Sequence, residues 1–491
     1  MGLQIYNTLT QKNETFVPLK EGEVKIYLCG PTVYGLLHVG NFRGPIFFNL
    51  VRNWLEYSGY RVEMALNFTD VDDKIIARAN EEGVSSEEVA TKYISEYMVD
   101  YRSMGLREHT YNPKVTESMD AIVSMIGQLI ANGLAYVVEG EVLFSVRSFR
   151  DYGKLSGKNI DDLQAGARVS VDEKKKDPMD FALWKPAKPG EPKWPSPWSD
   201  GRPGWHIECS AMIHRLFGGS IDIHGGGMDL IFPHHENEIA QSEGASDKPF
   251  VKYWMHNNML TFGDKKMSKS IGNIVSARDF LAKYNAEILK YMTLSVHYRS
   301  LSDFSEAAIH RAVSGLARVY SSLNLADSLL SKAENEQISE ESGRVLPALD
   351  KAITSANEQI NLALNDDFNT PEFFAAIYHV IRTFNGLVKH GQKLTPDSVL
   401  TARQFKTWMQ EKGGLCSLFH ENPSLYLRLL DDMLLQEKSL SRDEIDQIVA
   451  ERIEARGRKD YVKSDELRQK LTEMGISVQD LPQGSAWEVS K

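Results

Sequence analysis

Cysteine is scarce in this sequence: its 491 residues include three cysteines, at positions 29, 209 and 416. Three thiols are too few for a disulfide framework and are typical of a reducing compartment. Long apolar runs are missing as well, since no window approaches the roughly 18 consecutive apolar residues of a membrane span. The segment Met1–Tyr6 has neither a basic region nor an apolar core, so we expect no signal peptide. We therefore expect a cytoplasmic protein without membrane contact.

Basic residues are also in deficit. Lys and Arg total 56 against 67 Asp and Glu, and the net charge is -11. Taken alone, this balance argues against a nucleic-acid-binding protein, because phosphate contact draws on basic surface. The remaining composition, 42% hydrophobic and 25% charged, is that of a globular chain and excludes wholesale disorder. Its length suggests about three domains.

The first third of the chain alternates between strand and helix patterns. Val24–Cys29 predicts a strand, Pro45–Tyr57 an amphipathic helix and Val62–Phe68 a second strand. Strand, helix and strand in succession are typical of a parallel α/β unit. Residues 186–204 contain six prolines, which predicts an irregular insert and not regular structure.

The chain beyond about Ser302 has helical periodicity to about Gly475. A capping box at Ser441–Glu444 predicts the start of one late helix, and a second is expected to begin at Tyr461. Residues 480–484 are expected to form a turn. The end of the chain is therefore expected to be a small, separable, α-rich module.

The tetrapeptide His38-Val39-Gly40-Asn41 lies between the first predicted strand and its helix. A helix N-terminus offers free N–H groups and a positive dipole end, which suit phosphate. Gly40 would let a ligand approach the backbone, and His38 can donate to phosphate oxygens. In isolation the tetrapeptide is better explained as a plain turn with an exposed histidine.

A second segment, Lys266-Met267-Ser268-Lys269-Ser270, places two lysines and two hydroxyls in one short stretch. Such cations can stabilise charge that develops on a triphosphate during displacement. A solvated basic loop is the alternative interpretation. Together with the His38 tetrapeptide, however, this segment resembles the nucleotide-binding signature of class I aminoacyl-tRNA synthetases.

Four further residues have the chemistry of zinc donors. They are Cys29, Cys209, His234 and Glu238. His234 and Glu238 stand at positions i and i+4, so they share a face if the segment is helical. The donors are scattered over about two hundred residues, unlike the compact pairs of a zinc finger. From spacing alone, inert buried cysteines and a capped helix rich in His and Glu are the better interpretation, and His235 or Glu236 could equally be proposed as a ligand.

Seven segments together resemble the cysteinyl-tRNA synthetase family in sequence, order and spacing, and they extend over essentially the whole chain. They are Cys29–Tyr34, Asn67–Lys74, Gly204–Ser210, His224–Leu230, Phe232–Glu238, Asp366–Pro371 and Asp480–Gly484. The resemblance implies that Cys29, Cys209, His234 and Glu238 hold one zinc ion. Zinc favours a thiolate over a serine hydroxyl, so a separate editing domain need not be expected.

The resemblance also implies roles for the other motif residues. ATP, with Mg²⁺, would bind at His38, Gly40, Asn41, Asp229, Lys266, Ser268 and Lys269. Of these, His38, Asn41, Lys266 and Lys269 would be catalytic. The amino acid would be held by Gly30, Thr69, Trp205 and His224. The family usually has histidine at the position of Asn41. An asparagine keeps a donor but no cationic character, so we expect a modest loss of transition-state binding.

The implied fold is α/β: a Rossmann-type parallel-sheet catalytic domain with an insert, followed by a helical bundle and a small α-rich C-terminal domain. Residues 1–301 would form the catalytic domain, with an insert over roughly 115–203 and a lysine-loop and stem-contact region over roughly 250–301. Residues 302–435 would form a bundle that contacts tRNA, and residues 436–491 would bind the anticodon. The implied anticodon contacts are Arg456, Asp465 and Asp480, with Tyr461 available to stack on a base. Each of these residues could instead be an ordinary solvated side chain.

The expected activity is that of an ATP-dependent ligase that forms AMP and diphosphate. It would convert L-cysteine to cysteinyl-adenylate and transfer the cysteinyl group to the terminal ribose of tRNA(Cys), as a monomer. One alternative is the tRNA-independent cysteine ligase of mycothiol synthesis, which would lack the C-terminal module. Another is a non-catalytic RNA-binding paralogue, which would be expected to lose the lysine segment or the zinc donors. The acidic total does not exclude tRNA, because residues 452–459 carry a local basic excess.

Overall fold

The computed structural model describes residues 2–159, 161, 174–262, 265–266, 275–389, 391–481 and 484–491. The chain divides into two compact units. The first comprises Met1–Arg278, Thr293–Asp303 and Ile360–Phe373, and the second comprises Asp279–Met292, Phe304–Gln359 and Phe374–Lys491. Within the described ranges, no helix combines the length and apolar character needed to cross a membrane.

A four-stranded parallel sheet forms the centre of the first unit. Its strands lie in the spatial order Val251–Asn257, Ile221–Gly227, Glu23–Leu28 and Arg61–Leu66. The apolar side chains of these strands are buried on both faces of the sheet, as is typical of a parallel sheet. The strand order reverses between Ile221–Gly227 and Glu23–Leu28. In open α/β sheets a ligand binds outside the carboxyl ends of the strands at such a switch point.

The predicted strand–helix–strand unit is confirmed. The helix runs from Arg43 to Tyr57, between the strands Glu23–Leu28 and Arg61–Leu66. It buries Ile46, Phe47, Leu50, Val51, Trp54 and Leu55. Local periodicity was sufficient here, because the helix presents one continuous apolar face to the sheet.

The insert after the second strand is more regular than the sequence predicts. Its antiparallel sheet has the order Ala135–Val138, Glu141–Phe144, Phe181–Pro186 and Gly201–Pro203. The expectation of irregular structure over 186–204 was therefore wrong at both ends of that segment. Proline is tolerated because Gly201–Pro203 is the edge strand of this sheet. Burial of the Trp184 side chain, which is fully inaccessible, accompanies the pairing.

The other described elements follow in chain order. The helices are Asp73–Glu82, Ser86–Ser103, Met119–Ala131, Ile207–Phe217, Glu236–Ser246, Ala277–Lys283 and Ala286–Leu294. Short strands are Gln4–Asn7, Lys12–Thr15, Leu260–Phe262, Lys265–Lys266 and Ser302–Asp303.

The helical character expected after residue 302 is confirmed. The helices are Glu306–Asn335, Pro347–Leu364, Thr370–Leu387, Pro396–Leu415, Pro423–Glu437, Arg442–Gly457 and Tyr461–Glu473. A hairpin that was not predicted follows them, formed by the antiparallel strands Ile476–Leu481 and Gly484–Val489. The strands include residues 480, 481 and 484 of the expected turn, and residues 482 and 483 lie outside the described residues. The C-terminal module is thus two helices and a hairpin.

We expect Gly225→Ala to destabilise the central sheet. A Cβ atom at this position would lie 2.1 Å from the Phe48 ring and 2.7 Å from a Leu28 methyl group. Overpacking of this kind costs about 1–3 kcal/mol, measurable as a lower free energy of unfolding in urea. Gly127→Ala is the control, because it lies within a helix and nothing stands within 4 Å of its added Cβ. Equal stability of the two variants would contradict the packing argument.

Candidate active site and metal centre

A cleft of about 710 Å³ opens at the carboxyl end of the central sheet. Many of the residues singled out from sequence lie around it. They are Cys29, Gly30, His38, Gly40, Asn41, Trp205 and Asp229. The strand Glu23–Leu28 delivers Cys29 and Gly30 to this edge, and Ile221–Gly227 delivers the segment of Asp229. The cleft therefore occupies the switch point of the sheet.

The four predicted zinc donors converge at one place in the first unit. Their ligand atoms all lie within 4.8 Å of one another. The sulfurs of Cys29 and Cys209 are 3.6 Å apart, and Glu238 Oε1 lies 3.3 Å from Cys29 Sγ. His234 Nε2 is 3.0 Å from the same carboxylate oxygen. Residues distant in sequence meet because the helices Ile207–Phe217 and Glu236–Ser246 pack against each other, and their Cys209 and Glu238 side chains both contact Cys29.

The donor set fits a tetrahedral metal. Zinc bonds to thiolates at about 2.3 Å, which places two ligating sulfurs about 3.8 Å apart. The observed separation of 3.6 Å already approaches that value. Two thiolates with an imidazole and a carboxylate are also the soft-to-borderline set that zinc accepts.

The electrostatics of the cluster favour a bound cation. Burial alone would raise the pKa of Glu238, but the imidazoles of His224 and His234 outweigh it and hold that pKa well below its usual range. The hydrogen bond with Cys29 lowers the pKa of Cys209 to about 6, against the opposing effect of burial. An ionised carboxylate is thus buried beside two thiols. Buried negative charge requires positive charge nearby.

His224 lies closer to the donors than its predicted pocket role requires. Its Nε2 is 2.8 Å from Glu238 Oε2, and its side chain is fully buried. A second group of possible donors also has its ligand atoms within 4.8 Å of one another: Cys29, His224, His235 and Glu238. In that group His224 is already bonded to Glu238. Orientation of a ligating carboxylate by an outer hydrogen bond is a common arrangement in metal sites.

Glu236, the alternative ligand, has different hydrogen-bond partners from Glu238. Its carboxylate is fully buried and accepts the backbone N–H groups of Gly153, Leu155 and Ser156 at 3.0, 3.4 and 2.8 Å. It therefore fixes a loop of the insert against the helix that carries Glu238. Neither candidate metal group in the described part of the chain contains it.

The predicted amino-acid contacts surround the donors. The Trp205 ring stacks on His234 with centroids 4.3 Å apart, yet 42% of the residue stays exposed to the cleft side. Thr69 is buried and donates its hydroxyl to Glu208 at 2.9 Å. The Gly30 N–H donates to Asn67 Oδ1 at 2.8 Å, so its amide is already committed to the protein.

Asn67 and Glu208, which lie within the motifs but had no predicted role, contact the predicted site residues. Asn67 Oδ1 accepts from Gly30 and lies 3.7 Å from Cys209 Sγ. Glu208 holds Thr69. Both residues adjoin predicted site residues in sequence. That adjacency was the available signal.

The His38 tetrapeptide forms the turn expected between strand and helix. Val39–Phe42 is a single 3₁₀ turn that leads into the helix at Arg43. The Asn41 side chain accepts the backbone N–H of His38 at 3.0 Å, so part of its amide caps its own turn. A Cβ at Gly40 would stand 3.0 Å from the His38 ring, which explains why glycine fits there.

The lysine segment lies mostly outside the described residues, including Ser268 and Lys269. Lys266 belongs to a short strand that pairs with Leu260–Phe262. On the far side of the segment, Val39 donates its N–H to the carbonyl of Val275 at 3.1 Å. Arg43 donates to the carbonyl of Met259. Both flanks of the segment are therefore tied to the His38 turn.

Asp229 is exposed at the rim of the cleft, in the short turn Met228–Leu230 that follows the strand Ile221–Gly227. A Cβ on Gly227 would lie 2.4 Å from Asp229 Oδ1. The glycine therefore leaves room for this carboxylate to fold back over the strand end.

The predicted anticodon residues lie in the C-terminal module. Arg456 Nη1 is 3.0 Å from Asp480 Oδ2, and both side chains are partly exposed. Asp465 is exposed on the helix Tyr461–Glu473. The local basic excess of residues 452–459 is not wholly a surface patch, because Arg452 is 1% exposed and pairs with Asp480. That part of the interpretation was wrong, since charge in sequence does not report burial.

Comparison with known proteins adds sequence relatives. The family model of the class I (C) tRNA synthetase catalytic domain matches residues 15–314, and a DALR domain model matches residues 359–420. A cysteine–tRNA ligase of Bdellovibrio bacteriovorus is 59% identical over 489 residues, covering 100% of both chains. One of Lachnoclostridium phytofermentans is 45% identical over 487 residues, covering 99% of this chain and 100% of the other.

The fold itself also has a counterpart among solved structures. Methionyl-tRNA synthetase of Mycobacterium tuberculosis in complex with methionyl-adenylate superposes with a TM-score of 0.61 at 14% identity. The match covers 83% of this chain and 94% of the other. At that identity the similarity concerns the fold alone, and it confirms the predicted Rossmann-type α/β class.

We expect Glu236→Gln and Glu238→Gln to separate the structural carboxylate from the metal-binding one. In Glu236→Gln the new amide NH₂ would face backbone N–H groups, so the free energy of unfolding should fall by about 1–3 kcal/mol while zinc is retained. Glu238→Gln should lose zinc. Urea unfolding and elemental analysis of the purified variants measure the two effects. Retention of zinc by Glu238→Gln together with its loss from Glu236→Gln would reverse the assignment.

Proposed function

The chain belongs to the cysteine–tRNA ligases, a class I aminoacyl-tRNA synthetase family. We therefore propose that it activates L-cysteine with ATP and transfers the cysteinyl group to tRNA(Cys). One observation carries the proposal. The zinc donor cluster and the phosphate-binding signature lie at the same switch point of the sheet. A small thiol substrate and a nucleotide can therefore meet in one cleft.

We assign zinc to Cys29, Cys209, His234 and Glu238. When bound, zinc would supply a soft Lewis acid that favours the substrate's thiolate over the hydroxyl of serine. Trp205 would cover the side of the pocket next to His234, on which it stacks. His224 holds the Glu238 carboxylate at 2.8 Å and so keeps that ligand in one orientation. A pocket built to hold a thiol this way excludes serine without a second, hydrolytic site.

The nucleotide would extend from Asp229 toward His38. Asp229 would hold the ribose hydroxyls, and His38, with the N–H groups of the Gly40 turn, would hold the phosphates. Mg²⁺ would accompany the diphosphate. The amino-acid carboxylate, held near Thr69 and Gly30, would attack the α-phosphorus in line and displace diphosphate. This requires positioning and charge stabilisation and no covalent enzyme nucleophile.

The charges that stabilise the leaving diphosphate would come from Lys266 and Lys269. Asn41 would add a neutral donor where the family usually has histidine. Part of that amide caps the turn, which is consistent with a supporting role. On either side of the lysine segment, Met259 accepts a hydrogen bond from Arg43 and Val275 accepts one from Val39, which supports the proposed role of the lysines at the phosphates.

The C-terminal parts would bind the tRNA. We propose that residues 302–435 contact its body and residues 436–491 its anticodon. Arg456, Asp465 and Asp480 would contact base edges, and Tyr461, which is 61% exposed, would stack on a base. The protein is expected to act as a monomer.

Two assays test the whole proposal against its alternatives. Cysteine-dependent ATP–diphosphate exchange measures activation, and aminoacylation of tRNA(Cys) measures transfer. Both reactions are expected. Exchange without charging would favour the tRNA-independent ligase, and absence of both would favour the non-catalytic paralogue.

We expect Cys209→Ala to lose zinc and cysteine activation together. Loss of even an outer partner of a metal ligand costs about 10–100-fold, so loss of a ligand should lower the exchange rate by at least that much. Cys416→Ala is the matched control: its thiol is also buried, and no candidate metal group among the described residues contains it. Elemental analysis and exchange rates measure both variants. A Cys209→Ala protein that is zinc-free and fully active would refute the zinc assignment.

We expect Lys269→Ala to lower the rate constant of activation by about 10²–10³-fold, because a charge that stabilises the transition state is removed. The KM for cysteine should stay within about threefold, since that lysine does not hold the amino acid. Steady-state exchange at varied cysteine measures both constants. Lys248→Ala, which removes an exposed lysine of the same unit, is the control. Parallel changes in both constants would count against the role.

A further inference from the structure

Arg452 is the most deeply buried charged side chain of the C-terminal module that the sequence analysis left without a role. It stands on the helix Arg442–Gly457, and its side chain is 1% exposed. Its Nη1 donates to Asp480 Oδ1 at 2.7 Å and its Nη2 to Asp480 Oδ2 at 3.0 Å. This is the two-pronged geometry in which a guanidinium fixes both the position and the plane of a carboxylate.

Ser485 completes the grip on Asp480. The Ser485 hydroxyl donates to Asp480 Oδ1 at 2.9 Å and itself accepts from Arg452 Nη1 at 3.3 Å. Arg452 comes from a helix, whereas Asp480 and Ser485 are paired across the C-terminal hairpin. The carboxylate is therefore held from two elements at once.

The outer side of the same carboxylate holds Arg456. Arg456 Nη1 lies 3.0 Å from Asp480 Oδ2, with the Arg456 side chain 44% exposed and Asp480 37% exposed. Arg452 and Arg456 are four residues apart on one helix, where two like charges repel. Asp480 lies between them and relieves that repulsion. One guanidinium is thus internal and one faces solvent, joined by a single carboxylate.

We propose that Arg452 is a positioning residue for tRNA recognition: it fixes Asp480 and, through Asp480, presents the exposed Arg456 guanidinium in a preset orientation to a base edge. The proposal rests on the proposed function of this module as the anticodon reader. A preset guanidinium fork matches two acceptors on one base edge, as guanine offers. Lysine could supply the internal charge but not the fork.

Arg452→Lys is the decisive variant, because it keeps the charge and removes the two-pronged bond. The KM for tRNA in aminoacylation should rise about tenfold or more, the cost of a lost bidentate base contact. The rate constant of cysteine-dependent exchange should stay within about twofold, because no tRNA takes part in it. Arg468→Lys, at an exposed arginine of the same module, is the matched control and should change neither.

A purely structural role is separated by two further readouts. If Arg452 acts through Asp480, Arg452→Lys should add little to the rise in KM already caused by Asp480→Asn. The Arg452→Lys variant should also lose discrimination among tRNA transcripts with substituted anticodons, and the loss should match that of Arg456→Met. Additive effects, or undiminished discrimination, would overturn the proposal.

If circular dichroism shows that Arg452→Lys does not fold, Ser485→Ala provides a second test. It removes one donor to Asp480 and should raise the KM for tRNA by about threefold to fivefold, with exchange unchanged. No rise would overturn the inference. A rise in KM for Asp480→Asn but not for Arg452→Lys would overturn the positioning role alone. Unchanged KM for Asp480→Asn and Arg456→Met would instead refute the anticodon role of the module.

Discussion

The site depends on one costly arrangement, the burial of the Glu238 carboxylate. It is fully inaccessible and has His224 and His234 within 3.0 Å and the Cys29 sulfur at 3.3 Å. A buried carboxylate is tolerated only when donors or cations surround it. The imidazoles provide part of that surround, and a metal ion held by the thiols would provide the rest. Burial, charge and the proposed metal binding are thus linked at this position.

The parallel sheet makes that arrangement possible. Cys29 follows one strand, and the two helices that carry Cys209 and Glu238 flank the neighbouring strand Ile221–Gly227. Ends of parallel strands meet at one edge, so segments almost two hundred residues apart converge without any local sequence signal. The same edge receives the His38 turn, and the backbone of residues 37–39 pairs with residues 275–277. The proposed metal and nucleotide sites therefore share one sheet edge.

The sequence pattern predicted those helices, strands and caps that depend on neighbouring residues in the chain. The helix Arg43–Tyr57 and its flanking strands follow from apolar periodicity, and the cap at Ser441 follows from its side chain. Spacing alone did not separate Glu238 from Glu236; resemblance to a family did, and the two carboxylates have different contacts. Glu236 faces three backbone N–H groups of the insert. Those partners lie about eighty residues away, so no periodicity in the segment itself could have revealed them.

Local sequence does not report contacts with distant segments, and this explains two wrong predictions: irregular structure over 186–204 and an exposed charge at Arg452. Proline predicts irregular structure unless the strand is an edge, and edge position is a property of the whole sheet. A basic residue on a helix predicts a solvated charge unless another element covers it, and the hairpin that covers Arg452 was itself missed.

The acidic total of the chain then has a physical interpretation. Many of its cations are neutralised by a specific carboxylate: Arg452 by Asp480, Arg458 by Glu454 and Lys491 by Asp431. A surface of this kind attracts a polyanion weakly through its net field. Recognition of a nucleic acid must then come from a few oriented groups and from shape. Orientation of such groups by buried partners, as proposed for Arg452, would then contribute to specificity, because contacts with base edges carry sequence information and contacts with phosphates do not.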